Sequence, residues 1–399
     1  MLAQFLGQGS GRLFTFLTVV LLTRELGPSN YGTLSFFLAL IGLFGQPLFS
    51  DGVDSIVTKQ AVLGKNLVLP AFALKLLGLS FATLLFLGLS AGKGYPFSEL
   101  LILLLYTFSM SAQSLIGGFL RGLGKISVDA VLSTAFKGAI LVSVVFASIL
   151  PIHRSLSSYE DALLVGGTLG LLPCIVLTAR ELLAEKELSM ILLKDLFLET
   201  YPLTLAGFFW ILYFKINQAM LGFMGTPQGL GYFAAAYKIM EASFFLPAVF
   251  MSVSFPKLTA QFVENKTLFE KKFRDYALLL LMAGVTIATI AWGASYWIIS
   301  LTYGKSFLPS VPIFRILLFA IPFVYIGTLL TQTFIILGQQ KIFMWLTLLM
   351  AVVNLGLNYI AIPRWGTNGA GWATVITEAA MTSLALLFLR KIIRAQSSA

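Results

Sequence analysis

The chain has 399 residues, of which 58% are hydrophobic and only 11% charged; mean hydropathy is +0.90 and net charge +10. A soluble protein of this length divides into domains with charged surfaces, whereas here the charges lie between apolar runs and lipid must cover most of the outside. The lone Cys174 has no intrachain partner and reads as a small core residue. His153 is the only histidine, so a histidine-rich metal site is excluded, and no cofactor motif is present.

One helical crossing of a ~30 Å hydrocarbon core needs roughly 20 apolar residues at ~1.5 Å each. Runs of that size occupy 5–23, 30–50, 67–90, 98–120, 128–150 and 162–179, then 201–223, 230–255, 276–301, 311–336, 342–361 and 368–389. The chain is therefore an all-α polytopic membrane protein of about twelve transmembrane helices. The first run lacks a basic leader and a small-residue cleavage site, so it reads as a retained span. Turn chemistry breaks the runs at Gly27-Pro28-Ser29-Asn30, Gly92 to Pro96, Gly225-Thr226-Pro227 and Ile362-Pro363-Arg364.

Sidedness follows from the lysines and arginines between spans. With the N-terminus inside, sixteen of them fall on the cytoplasmic side and only five (Arg24, Lys93, Arg154, Lys305 and Arg364) outside. Both termini are then cytoplasmic, as expected for a multi-pass protein of the cell membrane. The net positive charge is a signal for anionic headgroups rather than for nucleic acid. The inner segments 180–200 and 256–275 carry charge at helical spacing and read as interfacial helices.

A half-length repeat is visible. Leu26-Gly27-Pro28-Ser29-Asn30-Tyr31-Gly32 follows the first span, and Gly225-Thr226-Pro227-Gln228-Gly229-Leu230-Gly231-Tyr232 follows the seventh. Six spans per repeat give both halves the same orientation. The expected organisation is an N-terminal six-helix bundle at 1–179, a cytoplasmic linker at 180–200 and a C-terminal six-helix bundle at 201–399, with a central cavity between the bundles.

Ionisable groups at membrane depth cost a few kcal/mol and normally face a cavity or a partner. Arg12, Lys75, Lys137, Lys215, Lys238 and Arg315 lie within spans, against only Glu241 and Glu378 on the acidic side. The cationic excess suits an anionic substrate such as a diphosphate. Arg12, Lys137, Lys215 and Lys238 are the candidate substrate-binding residues, with the alternative for Lys238 that it pairs with Glu241 three residues on. Glu241 and Glu378 are candidates for ion coupling. Lys75 and Arg315 lie near span ends and read as snorkelling to headgroups. Asp51 and Asp54 read as flanking the inner surface, Asn354 and Asn358 as interhelical hydrogen-bonding groups, and Gly166-x-x-x-Gly170 as a weak packing signal.

Several stretches resemble polysaccharide and O-antigen (Wzx-like) flippases of the multidrug/oligosaccharidyl-lipid/polysaccharide exporter superfamily. They are Leu22 to Gly32, Gly231 to Lys238 with Phe255-Pro256-Lys257-Leu258, Tyr303-Gly304-Lys305-Ser306-Phe307, Leu337-Gly338-Gln339-Gln340, and Val353 to Asn358 followed by Ile362 to Thr374. The resemblance covers essentially the whole chain. It implies two six-helix bundles arranged as a V. It also implies transfer of a polyprenyl-diphosphate-linked glycan to the outer leaflet by alternating access, with the lipid bilayer, that glycan and glycan-assembly enzymes as partners. Asn217 stands where many relatives carry an acid, which weakens any coupling scheme that needs a carboxylate there. The chain is short for the peptidoglycan-precursor branch, which carries two more spans. Alternatives are a multidrug exporter of the same fold, disfavoured by the cationic interior, and a glycan-processing membrane enzyme, for which no convergent carboxylates or histidines on a large loop are apparent.

Overall fold

The computed structural model describes residues 2–49, 51–150, 155–182 and 190–397. His153, Arg154 and the Glu185-Lys186-Glu187 portion of the expected linker lie outside these. The described elements are helical: α1 (Leu2–Leu40), α2 (Asp51–Val62), α3 (Val68–Lys93), α4 (Phe97–Gly122), α5 (Ile126–Ile149), α6 (Leu156–Leu182), α7 (Met190–Met224), α8 (Pro227–Ser243), α9 (Phe245–Glu264), α10 (Lys266–Tyr303), α11 (Ser310–Leu318), α12 (Ile321–Ile336) and α13 (Gln340–Ser397). Helix is the only regular structure that satisfies every backbone group within one segment, which is what hydrocarbon demands of a single span.

Eight described helical stretches are long and apolar enough to cross a bilayer, or nine if α11 and α12, bent by 46°, count as one. Two of the stretches, Gly9–Val62 with 54 residues and Gln340–Ile392 with 53, far exceed the roughly 20 residues of one crossing. Both are broken at a glycine with positive φ, Gly27 (φ 67°) and Gly366 (φ 57°). Pro28 follows the first break and Pro363 precedes the second, as the turn chemistry of the sequence suggested. With α7 added, these helices account for the twelve expected spans.

The chain divides into two compact units. One comprises Met1–Leu26 and Phe36–Ile211, the other Gly27–Ser35 and Leu212–Ala399. The core of the first includes Val53, Val57, Leu115 and Phe119; that of the second includes Leu330, Phe334, Leu346 and Leu389.

Within the first unit the second span does not end as a regular helix. Ile41–Gly45 forms a π-helical turn and Gln46–Phe49 a 3-10 turn, so the Phe49 carbonyl loses its ordinary helical partner. Ser111 donates to that carbonyl at 2.6 Å and Lys75 Nζ at 3.1 Å. The ammonium also donates to Ser111 Oγ at 2.6 Å and lies 2.8 Å from Asp54 Oδ1. Lys75 is fully buried and Asp54 nearly so. Both expectations for these residues are therefore corrected: Lys75 does not snorkel, and Asp54 does not merely flank a surface. The departure from α-helix over 41–49 brings Asp54 back against α3, and burial then requires the pair. Arg315 is half-buried, its guanidinium 4.6 Å from the Trp292 ring centre and its Nε donating to Ser295 Oγ at 2.8 Å.

The glycine spacing on α6 has a use that its sequence signal understated. A Cβ on Gly166 would lie 2.5 Å from Ile140 Cα, and one on Gly170 would lie 2.9 Å from Phe136 Cα, so α6 packs backbone to backbone on α5. In the second unit the repeated turns meet each other. A Cβ on Gly32 would fall 1.7 Å from the Pro227 carbonyl oxygen, and one on Gly231 would fall 1.9 Å from the Pro28 carbonyl oxygen. Each glycine thus faces the proline of the other repeat, the reciprocal pattern of a two-fold relation.

Removing one member of the buried pair, as in Asp54→Ala, is expected to cost about 3–5 kcal/mol in detergent unfolding. The double variant Asp54→Leu/Lys75→Met should recover most of that loss. Equal melting of Asp54→Ala and wild type would show that the ion pair is not needed. Gly32→Val and Gly231→Val should each lower the melting temperature, whereas Gly88→Val, where no atom lies near, should not.

Candidate functional site

The first unit places two of the sequence-chosen cations side by side. Arg12 lies on α1 and is exposed; Lys137 lies on α5 and is half-buried. The Lys137 chain runs over Gly11, whose missing side chain leaves room for it: Nζ is 3.2 Å from where a Cβ would stand. At that position the ammonium is within electrostatic reach of Arg12 and of Asp129. Asp129 is already committed, its Oδ2 lying 2.7 Å from an Arg121 guanidinium nitrogen. Lys137 forms no ion pair among the described residues. These two adjacent positive charges make a patch suited to an anion.

The second unit holds Lys215, Lys238, Glu241 and Glu378. Lys238 Nζ lies 2.8 Å from Glu241 Oε2, three residues along α8, so the pairing foreseen in the sequence is formed. Lys215, on α7, is half-buried within reach of both charges and makes no ion pair among the described residues. Glu378, on α13, faces the hydroxyls of Tyr213 and Tyr237. The Tyr213 and Tyr303 hydroxyls are buried without a well-aligned hydrogen-bond partner. This cluster is nearly balanced in charge, two lysines against two carboxylates, and differs in that respect from the Arg12–Lys137 patch.

Next to Lys215 in sequence, Asn217 enters a buried amide network. Asn358 donates to Asn217 Oδ1 and, at 2.7 Å, to Asn354 Oδ1. Asn217 donates to Thr374 Oγ1 and Asn354 to Thr377 Oγ1, each at 3.0 Å. Both threonines pass their own protons to carbonyls one turn back, on Ala370 and Ala373. The interhelical role expected for Asn354 and Asn358 is thus observed, with Asn217 as a third member that spacing alone did not reveal. No carboxylate takes part.

A further group was missed. Glu160 sits at the start of the second turn of α6 and is fully buried, with neither carboxylate oxygen hydrogen-bonded. Glu99 and Asp161 are its charged neighbours. Glu160 lies just ahead of the apolar run 162–179, and nothing in the local pattern signalled burial. Among the described residues, no three His, Cys, Asp or Glu side chains are placed to hold a metal ion.

The profile of the polysaccharide biosynthesis protein family matches residues 1–262. The chain belongs to this family. No curated protein matches it by sequence. Solved structures that share the fold include three transporters of low sequence identity. The lipid II flippase MurJ, in an inward closed conformation, superposes with a TM-score of 0.79 at 16% identity, over 98% of this chain and 88% of its own. An inward-facing multidrug resistance MATE family transporter of the MOP superfamily gives 0.74 at 17%, over 97% and 96%. A MOP superfamily transporter from Pyrococcus furiosus, described as having a binding pocket of reverse polarity, gives 0.67 at 16%, over 99% and 94%. The chain is thus a multi-pass membrane protein of a polysaccharide biosynthesis family that shares its fold with these transporters.

The amide network gives a stability test. Asn358→Leu strands the Asn217 carbonyl oxygen without a donor and should cost about 1–2 kcal/mol, above the ~0.6 typical of interhelical bonds in bilayers. Thermal unfolding in detergent reads this, and a variant that melts with the wild type would remove the network from the fold's stabilising groups.

Proposed function

We propose that this chain is a flippase that moves a polyprenyl-diphosphate-linked oligosaccharide from the cytoplasmic to the outer leaflet of the cell membrane, by alternating access, for surface polysaccharide synthesis. The observation that carries this reading is the Arg12–Lys137 patch in a member of the polysaccharide biosynthesis family. Two cations held close together in a membrane repel each other, and an anion between them relieves that cost. A diphosphate supplies that charge, and Arg can grip its oxygens bidentately while Lys acts as a point charge. Lys215 and Lys238 are the corresponding cations of the second unit. Glu241 and Glu378 are the groups through which a proton or cation would couple to transport. The lysine and arginine bias puts both termini in the cytoplasm. The inside-negative potential would then favour outward movement of an anionic carrier by ~2.3 kcal/mol per charge per 100 mV.

The fold shared with a multidrug transporter supports the second reading, export of cationic drugs. The first unit's patch opposes it, because a cationic drug gains nothing from Arg12 and Lys137.

Arg12→Ala, Lys137→Ala and Lys215→Ala should each reduce glycan export by about 10–100-fold, the loss expected for one charge-assisted contact to phosphate. Membrane-inserted protein should remain at the wild-type level, and Arg12→Lys should keep part of the activity. Normal surface glycan with both Arg12→Ala and Lys215→Ala would remove the proposed cargo site.

A further inference from the structure

A groove of about 800 Å³ opens on the second unit between α10, α12 and α13. It lies where α10 changes character. Residues 266–275 are largely charged, whereas from Ala277 onward the helix is apolar enough to cross a bilayer. Lys271, Arg274, Leu278 and Leu281 recur three, four and three residues apart and so lie along one face. Across from them stand Ile326 of α12 and Arg390 of α13, and all six line the groove. Lys271, Arg274 and Arg390 are exposed, and none forms an ion pair among the described residues. Glu270 is the only acidic residue on the wall.

We propose that this groove binds an anionic phospholipid of the surrounding bilayer, with its phosphate against Lys271, Arg274 and Arg390 and an acyl chain along Leu278, Leu281 and Ile326. The division of the wall gives the argument. Three basic side chains against one acid complement a phosphate, and basic pockets between spans at the headgroup level hold acidic lipids for this reason. The adjoining apolar wall continues into the membrane-crossing part of α10, a depth that a soluble anion or protein does not reach. A zwitterionic lipid would bring a second cation to the same rim and gain less. The groove lies wholly within the second unit and involves none of the cations assigned to the cargo, so it stands apart from the flippase reading.

The test uses the full chain in mixed detergent micelles containing equal amounts of phosphatidylglycerol and phosphatidylcholine, with retained lipids counted by native mass spectrometry. Wild type should retain one phosphatidylglycerol with about tenfold preference over phosphatidylcholine. The Lys271→Ala/Arg274→Ala/Arg390→Ala variant should lose that preference, while Lys271→Arg and the nearby Lys272→Ala should keep it. Leu281→Trp, which fills the apolar end, should weaken retention with the cationic rim intact. Circular dichroism and gel filtration confirm that each variant is folded. Equal retention by wild type and the triple variant would overturn the proposal. So would displacement of the lipid by equimolar inorganic phosphate, which would mark a free-anion site. Retention of a polyprenyl diphosphate with exclusion of phosphatidylglycerol would overturn it as well, because the groove would then serve cargo.

Discussion

A polar group at bilayer depth has no water to turn to, and each unsatisfied one costs several kcal/mol. The interior of this protein is arranged around that condition. Where the second span stops being an α-helix, the freed Phe49 carbonyl is taken up by Lys75 and Ser111, and the lysine's charge is met by Asp54. Three asparagines on α7 and α13 close on one another and on two threonines, which hand their protons back to the backbone. Lys238 and Glu241 answer each other within one helix turn. The backbone breaks in these spans are tolerated because side chains are placed to complete them.

Against this background the groups left incomplete become informative. Lys137 rests over Gly11 beside Arg12 and forms no ion pair among the described residues, while Asp129 is engaged by Arg121. Glu160 is buried with no donor on either oxygen. Natural folds satisfy buried polar atoms so consistently that exceptions point to a missing ligand or proton. The first exception belongs to the patch at which the flippase is proposed to hold its anionic cargo. The groove beside α10 is a different kind of incompleteness, a basic rim and an apolar wall with nothing of the chain itself between them.

The reciprocal contact of Gly32 with Pro227 and of Gly231 with Pro28 gives physical meaning to the half-length repeat. Each turn needs a proline to start its helix and a glycine one turn later. The bare glycine backbone is the only surface that admits the other repeat's carbonyl. The sequence displayed both residues twice at the same spacing, so the repeat was legible although its reason was not. The glycines of α6 follow the same logic at Ile140 and Phe136.

Hydropathy and turn chemistry are local and additive, and they were enough to settle the all-helical membrane class, the span positions and the breaks at Gly27-Pro28 and near Pro363. The i,i+3 spacing was enough for the Lys238–Glu241 pair, because one helix carries both partners. Partners on different helices were another matter. Lys75 and Asp54, Asn217 and Asn358, or Arg12 and Lys137 meet only once each helix has a rotation about its axis and a neighbour chosen from elsewhere in the chain. Depth along a span, which the sequence does encode, says how much an unpaired charge costs but not which group answers it. That choice was made by the packing, and it turned one expected snorkelling lysine into a fully buried partner of Asp54.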